Sequence, residues 1–242
     1  MKLAYVIGDI HGDINSFQRA LIEFDPTMHQ LVLLGDLLDR GTYSKECLLL
    51  GKKLVEEYGA VYLKGNHEDL LLRFIEDPIE RYPNYLLNGG KLTIESLLHK
   101  GACEEYSPSE IAAMIRYHYE TLLTFLKTLP LYYEWQAYVF VHAGVNLTLS
   151  DWRKTSEREF IWIREPFHQL PNKTGKTLVF GHTPTHYLYG DNQTTKLWQH
   201  DHKIGMDGGA IYGGSLHVVI FSSEGILQAQ EFFQGEVWQP EE

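Results

Sequence analysis

The stretch Leu3-Ala4-Tyr5-Val6-Ile7-Gly8-Asp9-Ile10-His11-Gly12-Asp13 sets a compact apolar run of strand type against a loop of glycines, carboxylates and one histidine. A helix-like segment, 14–24, follows, so the unit reads strand, polar loop, helix. Glycines let the chain turn sharply where the strand ends, and Asp9 and His11, two positions apart, can converge on one point. Alone, the loop is equally well a glycine turn with an aspartate helix cap. The unit then recurs. Residues 31–34 lead through Gly35-Asp36-Leu37-Leu38-Asp39-Arg40-Gly41 into an amphipathic segment, 44–57, with Ser44 as its expected cap. Residues 60–63 lead through Lys64-Gly65-Asn66-His67-Glu68 into a helix over 68–76. Three such units in succession predict a largely parallel sheet, with polar loops gathered beyond the carboxyl ends of its strands.

Residues 78–129 change character: they are helical by period, rich in Tyr and Leu, and broken by Pro83, Gly89-Gly90 and Gly101. They predict a helical cap-like segment beside the site, able to shape substrate choice. Strands resume at 131–135 and 138–141, the latter ending in His142-Ala143-Gly144, and again at 177–180, ending in Gly181-His182. Between them, 159–166 reads as a loop packed against the body. Its Arg164 either pairs with Glu165 or points inward at an anion. Segments 203–206, 215–221 and 226–232 read as antiparallel strands, so a second sheet is expected. His29, His99, His118, His168, His186, His200, His202 and His217 lack the strand-end setting and are read as structural.

The chain has 242 residues, 44% of them hydrophobic and 22% charged, which predicts one compact domain over 1–242 with a substantial core. Its 21 Lys and Arg against 32 Asp and Glu give a net charge of -11. That balance argues against a general nucleic-acid binder, and it repels anionic substrates unless something local reverses the field. A bound pair of divalent cations would reverse it. The apolar run at the N-terminus is too short for a signal peptide, and no apolar stretch has the length of a membrane span, so a cytoplasmic location is expected. Cys47 and Cys103 show no metal-type spacing and are read as small buried hydrophobes.

Five strand ends thus present Asp9 and His11, Asp36, Asn66, His142 and His182, a mixed oxygen and nitrogen set suited to two first-row divalent metals. Without cysteine ligands, a structural zinc site is disfavoured. Two metals about 3.5–4 Å apart need a shared anionic ligand, and Asp36 is the natural bridge. His67, unable to point the same way as Asn66, is left free for proton transfer.

The ordered series Gly8-Asp9-Ile10-His11-Gly12, Gly35-Asp36-Leu37-Leu38-Asp39-Arg40-Gly41, Gly65-Asn66-His67-Glu68, His142-Ala143-Gly144 and Gly181-His182 resembles the metallophosphoesterase superfamily. Within that superfamily it is similar to the phosphoprotein phosphatase (PPP) family, in its compact bacterial and bacteriophage branch. The resemblance implies an α/β fold of two mixed β-sheets forming a sandwich flanked by helices, the calcineurin-like fold. It implies that Asp9 and His11 hold one metal, that Asn66, His142 and His182 hold the other, and that Asp36 bridges them. Manganese is the first choice, with iron, zinc and nickel compatible with the same ligands. A hydroxide between the metals would attack phosphorus, His67 would protonate the leaving group with Asp39 fixing its tautomer, and Arg40 and Arg164 would clamp the phosphate. Relatives commonly carry arginine two positions before the metal-binding Asn; Lys64 stands here, keeping the charge but losing the bidentate fork, and is expected to bind substrate. The implied activity is hydrolysis of phosphomonoesters on proteins, with symmetrical cleavage of dinucleoside tetraphosphates as the alternative. An inactive metal-binding scaffold would lack a ligand or the general acid, and none is missing.

Overall fold

The computed structural model describes residues 2–235. In chain order its strands are β1 (Leu3–Ile7), β2 (His29–Leu33), β3 (Val61–Tyr62), β4 (Tyr132–Trp135), β5 (Tyr138–Val141), β6 (Thr177–Phe180), β7 (Trp198–His200), β8 (Lys203–Gly205), β9 (Asp207–Gly208), β10 (Ser215–Phe221) and β11 (Ile226–Phe233). The helices that bear on the site are α1 (Ile14–Ala20), α2 (Ser44–Tyr58), α3 (Asn66–Glu76), α4 (Pro78–Leu87), α5 (Gly90–Leu97), α6 (Ala102–Glu105), α7 (Pro108–His118), α8 (Glu120–Lys127), α9 (Glu157–Trp162) and α10 (Thr185–Tyr189).

The strands form two mixed sheets. One runs β11-β10-β1-β2-β3, with β9 beside β10; the other runs β4-β5-β6-β8-β7. In the first, β1, β2 and β3 are parallel and β10 is antiparallel to its neighbours. In the second, β5, β6 and β8 are parallel, flanked by the antiparallel strands β4 and β7.

Side-chain alternation explains why the strands read as unbroken apolar runs. Ala4, Val6, Val32, Leu34 and Leu63 meet Tyr138, Phe140, Val179 and Ile204 of the other sheet. The alternate residues Tyr5, Ile7, Leu31 and Leu33 pack against Phe17, Leu48 and Leu71 of the helices. The outer face of the second sheet is covered by Trp152, Phe160 and Phe167. Strands buried on both faces have no polar side to show, and each large side chain so buried contributes about 1.5–3 kcal/mol.

Several local expectations are adjusted. The helix α1 stops at Ala20, where Leu21 caps it. Ser44 is the first helical residue of α2 and not its cap; its hydroxyl accepts the Asp39 N–H at 3.0 Å. The helix α3 starts at Asn66, two residues earlier than expected. The loop expected over 159–166 is partly helix: α9 is opened by Ser156, whose hydroxyl and the Glu159 carboxylate exchange hydrogen bonds with backbone N–H groups, and Arg164 follows it. Residues 78–127 are helical as expected, in five helices. Cys47 is buried, Cys103 partly so, and both are free. No helix among the described residues is long and apolar enough to cross a membrane.

Candidate active site

The parallel strands of both sheets end on one side, and the loops that leave them supply the site. Five of its residues hold positive φ: His11 (50°), Asp36 (53°), Asp39 (67°), Arg40 (70°) and His182 (63°). Non-glycine residues avoid this left-handed region unless their surroundings enforce it, so the backbone is bent to aim these side chains. The enforcing contacts are visible. His11 N–H donates to the Asp36 carbonyl at 2.9 Å, and His182 N–H donates to Asp9 Oδ2 at 3.0 Å.

Asp36 lies at the centre. Its Oδ2 is 3.7 Å from His11 Nε2, and its Oδ1 is 3.4 Å from His142 Nε2. Asn66 Oδ1 lies 2.9 Å from His142 Nε2 and 2.8 Å from His182 Nδ1. His11 and His142 each donate Nδ1–H to a backbone carbonyl, Leu38 at 2.9 Å and Leu34 at 2.8 Å. Those bonds fix the tautomer and leave Nε2 of each ring as a lone pair facing Asp36. Two glycines make the approach possible: a Cβ on Gly65 would come 2.2 Å from Asp36 Oδ1, and one on Gly181 would come 2.0 Å from Asp9 Oδ1.

This donor set fits divalent cations. Asp9 Oδ1 and His182 Nε2 are buried with no hydrogen-bond partner among the described residues, which is costly unless a cation completes them. Two groups of side chains bring one donor atom each within 4.8 Å of one another, His11-Asp36-His67 and Asp36-His142-His182, and Asp36 belongs to both. His11 Nε2 already faces a cation, since the Arg40 guanidinium donates to it at 2.6 Å. Burial pushes Asp9 and Asp36 above the usual carboxylate range and holds His11 and His182 well below the usual imidazole range, with His142 at about 4. The histidines are therefore neutral and ready to ligate, while the carboxylates lack countercharge.

His67 stands beside this set. Its Nδ1 is 2.7 Å from Asp39 Oδ2, and its Nε2 is buried without a hydrogen bond. Asp39 Oδ1 in turn accepts the hydroxyls of Tyr85 at 2.9 Å and Thr93 at 2.5 Å. Burial lowers His67 to about 4 and raises Asp39 to about 7, so the pair favours holding one shared proton over separated charges. With that proton between Nδ1 and Oδ2, the ring's other proton must sit on Nε2 and faces the site.

Arg40, Arg164 and His182 line one cavity of about 720 Å³, whose wall also includes His186, Tyr187 and Tyr212. The Arg40 guanidinium sits 5.4 Å from the Tyr212 ring centre. Lys64 is not brought to this cavity. Its ammonium is 2.7 Å from Glu157 and 3.5 Å from Asp69, tying α3 to α9.

Other residues matter that their sequence positions did not single out. Tyr85 and Thr93 come from the helical segment, where spacing signalled nothing. His186, lacking a strand-end setting, nonetheless lines the cavity. Asp207 is buried, and its charge adds to burial in raising Asp9. Glu68 accepts the N–H groups of Asp36 (3.0 Å), Leu37 (2.9 Å) and Gly65 (2.8 Å) and the Tyr62 hydroxyl (2.7 Å). It thereby splices the Asp36 loop to the start of α3.

The model of the calcineurin-like phosphoesterase family matches residues 3–213. Serine/threonine-protein phosphatase 1 of Salmonella typhimurium is 28% identical over 223 residues, 88% of each chain. A bis(5'-nucleosyl)-tetraphosphatase of Bacillus cereus, described as asymmetrical, is 25% identical over 239 residues, 87% of each chain. Among solved structures, a candidate diadenosine tetraphosphatase superposes with a TM-score of 0.64 at 20% identity, covering 97% of this chain and 95% of that one.

Proposed function

This chain belongs to the calcineurin-like phosphoesterase family, and from that premise we propose that it is a phosphomonoesterase acting on phosphoserine and phosphothreonine, and by extension phosphotyrosine, in proteins. The observation that carries the reading is one cluster: His11, His142 and His182 bring ring nitrogens to Asp36, Asn66 Oδ1 sits between two of those rings, and the buried His67 Nε2, without a hydrogen bond, faces the group. Asp9 and His11 would hold one divalent cation and Asn66, His142 and His182 the other, with Asp36 shared. Bound there, two cations, manganese by expectation, supply activation of a water nucleophile and neutralisation of phosphate charge.

The chain's own residues do the rest. Arg40 and Arg164 line the entrance and offer planar guanidinium groups to the non-bridging phosphate oxygens. As the bond from phosphorus to the leaving oxygen breaks, His67 Nε2–H protonates that oxygen, and Asp39 stabilises the ring in the required orientation. Tyr85 and Thr93 keep Asp39 in place from α4 and α5, so the helical segment supports the acid as well as flanking the substrate.

A second reading, hydrolysis of dinucleoside tetraphosphates, draws on the cavity itself. At about 720 Å³ it exceeds what a phosphate needs, and it carries two exposed aromatic rings, Tyr187 (70%) and Tyr212 (64%), suited to stacking on a base. Turnover of phosphopeptides and of diadenosine tetraphosphate by manganese-loaded protein separates the two. Much faster turnover of the dinucleotide than of any phosphopeptide would overturn the first reading.

A further inference from the structure

A second cavity, of about 270 Å³, opens between α3, α4 and α9 and has no part in the chemistry above. Its apolar floor is made of Leu70, Tyr85, Ile161 and Trp162. Two of these touch the site: the Tyr85 hydroxyl is bonded to Asp39, and the Trp162 ring centre is 5.8 Å from that of His182. The cavity is therefore a neighbour of the reacting centre, one residue removed on each side.

Its rim is cationic in a chain of net charge -11. Arg73, Arg81 and Arg158 surround it. The two acids that also line it, Asp69 and Glu157, are already engaged, Asp69 by Arg73 and Lys64 and Glu157 by Lys64. Arg81 lies 3.5 Å from Glu80 with both side chains largely exposed, a pairing that solvent weakens. Arg158 makes no hydrogen bond or ion pair among the described residues. An uncommitted guanidinium group over an apolar floor matches an acidic side chain, whose methylene carbons cover the floor while its anion meets the rim.

We propose that this cavity receives an anionic side chain, a carboxylate or a second phosphate, flanking the scissile phosphoresidue of a peptide, and so selects acidic or multiply phosphorylated substrates. The proposal rests on the phosphoprotein reading. It also gives Lys64 a part other than phosphate binding: by engaging Glu157 it draws that acid away from Arg81 and Arg158, while Asp69 is taken by Arg73.

The test compares manganese-loaded wild type, Arg81→Glu, Arg158→Glu and the double variant on four substrates. These are p-nitrophenyl phosphate and three phosphoserine peptides of one sequence, flanked on both sides by alanine, glutamate or further phosphoserine. The expected result is a wild-type preference for the acidic peptides that falls on the order of ten-fold in kcat/KM in the variants. Turnover of p-nitrophenyl phosphate and of the alanine peptide should stay unchanged. Comparing the glutamate and phosphoserine peptides identifies which anion the rim prefers. Arg81→Gln and Arg158→Gln, which remove charge without reversing it, should lie between. Equal wild-type rates on all three peptides, or a preference that survives in the double variant, overturn the proposal alone. Rapid turnover of p-nitrophenyl phosphate with none of any peptide overturns the phosphoprotein reading and this proposal with it.

Discussion

Replacing Glu68 by glutamine changes one atom of a side chain that touches neither of the two cavities, yet it should loosen the site. Glu68 accepts four hydrogen bonds, two on each carboxylate oxygen. A glutamine amide nitrogen at the Oε2 position would face the N–H groups of Asp36 and Gly65, donor against donor. At the Oε1 position it would face the Leu37 N–H, while the Tyr62 hydroxyl could turn to accept from it. The second arrangement costs less and still leaves one buried N–H unsatisfied, about 1–3 kcal/mol. It also replaces two charge-assisted bonds by neutral ones, about 1 kcal/mol each. Burial raises the Glu68 carboxyl above its usual range, so removing the charge returns part of the loss. The net expectation is a destabilisation of about 2–3 kcal/mol, or roughly 5–10 °C in Tm for a chain of this length. Because the lost bond holds Leu37, next to Asp36, and the bond to the Asp36 N–H is weakened, metal affinity should fall with it. Thermal unfolding and manganese titration of Glu68→Gln read both quantities. A Tm within a degree of wild type with unchanged affinity would refute the view that Glu68 splices the Asp36 loop to α3.

Gly181→Ala places a methyl group 2.0 Å from Asp9 Oδ1, so the carboxylate must move; expected are a destabilisation of about 1–3 kcal/mol and weakened metal binding, both measurable in the same titration. His67→Asn should keep its metals while losing on the order of 10²-fold or more in kcat on alkyl phosphates, and less on aryl phosphates whose leaving group needs no proton. The His67–Asp39 pair should also shape the pH profile. Burial lifts Asp39 to about 7, so the shared proton is held below that value and lost as pH rises through it, leaving His67 Nε2 without a proton to give. Wild-type turnover of alkyl phosphates should therefore fall above about pH 7, and a His67→Asn profile with the same alkaline limb would contradict the assignment.

The legible features follow from simple constraints. Buried parallel strands show as short apolar runs, and the loops that follow them must carry the polar chemistry; Leu3–Ile7 ending in Gly8-Asp9 declares both at once. Glycines beside ligands were equally readable, and the contacts at Gly65 and Gly181 supply the reason. What stayed hidden depends on distance in sequence. Tyr85 and Thr93 meet Asp39 only because α4 and α5 fold back across α2 and α3, and no local pattern encodes that return. Lys64 looked like a substitute for a phosphate-binding arginine, but its partners Glu157 and Asp69 come together only in three dimensions. For α9 the sequence does carry a signal, since Ser156 followed by Glu159 is a capping box, but the apolar residues and proline around Arg164 mask it.

Asp36 as the ligand shared by two cation sites is the claim on which the rest depends. Elemental analysis of protein loaded with manganese and freed of excess metal, for wild type and Asp36→Asn side by side, tests it most directly. Two manganese ions per wild-type chain, with both sites weakened together in Asp36→Asn, is the predicted result. A wild-type chain that holds one ion or none, or an Asp36→Asn chain that keeps both, would contradict it.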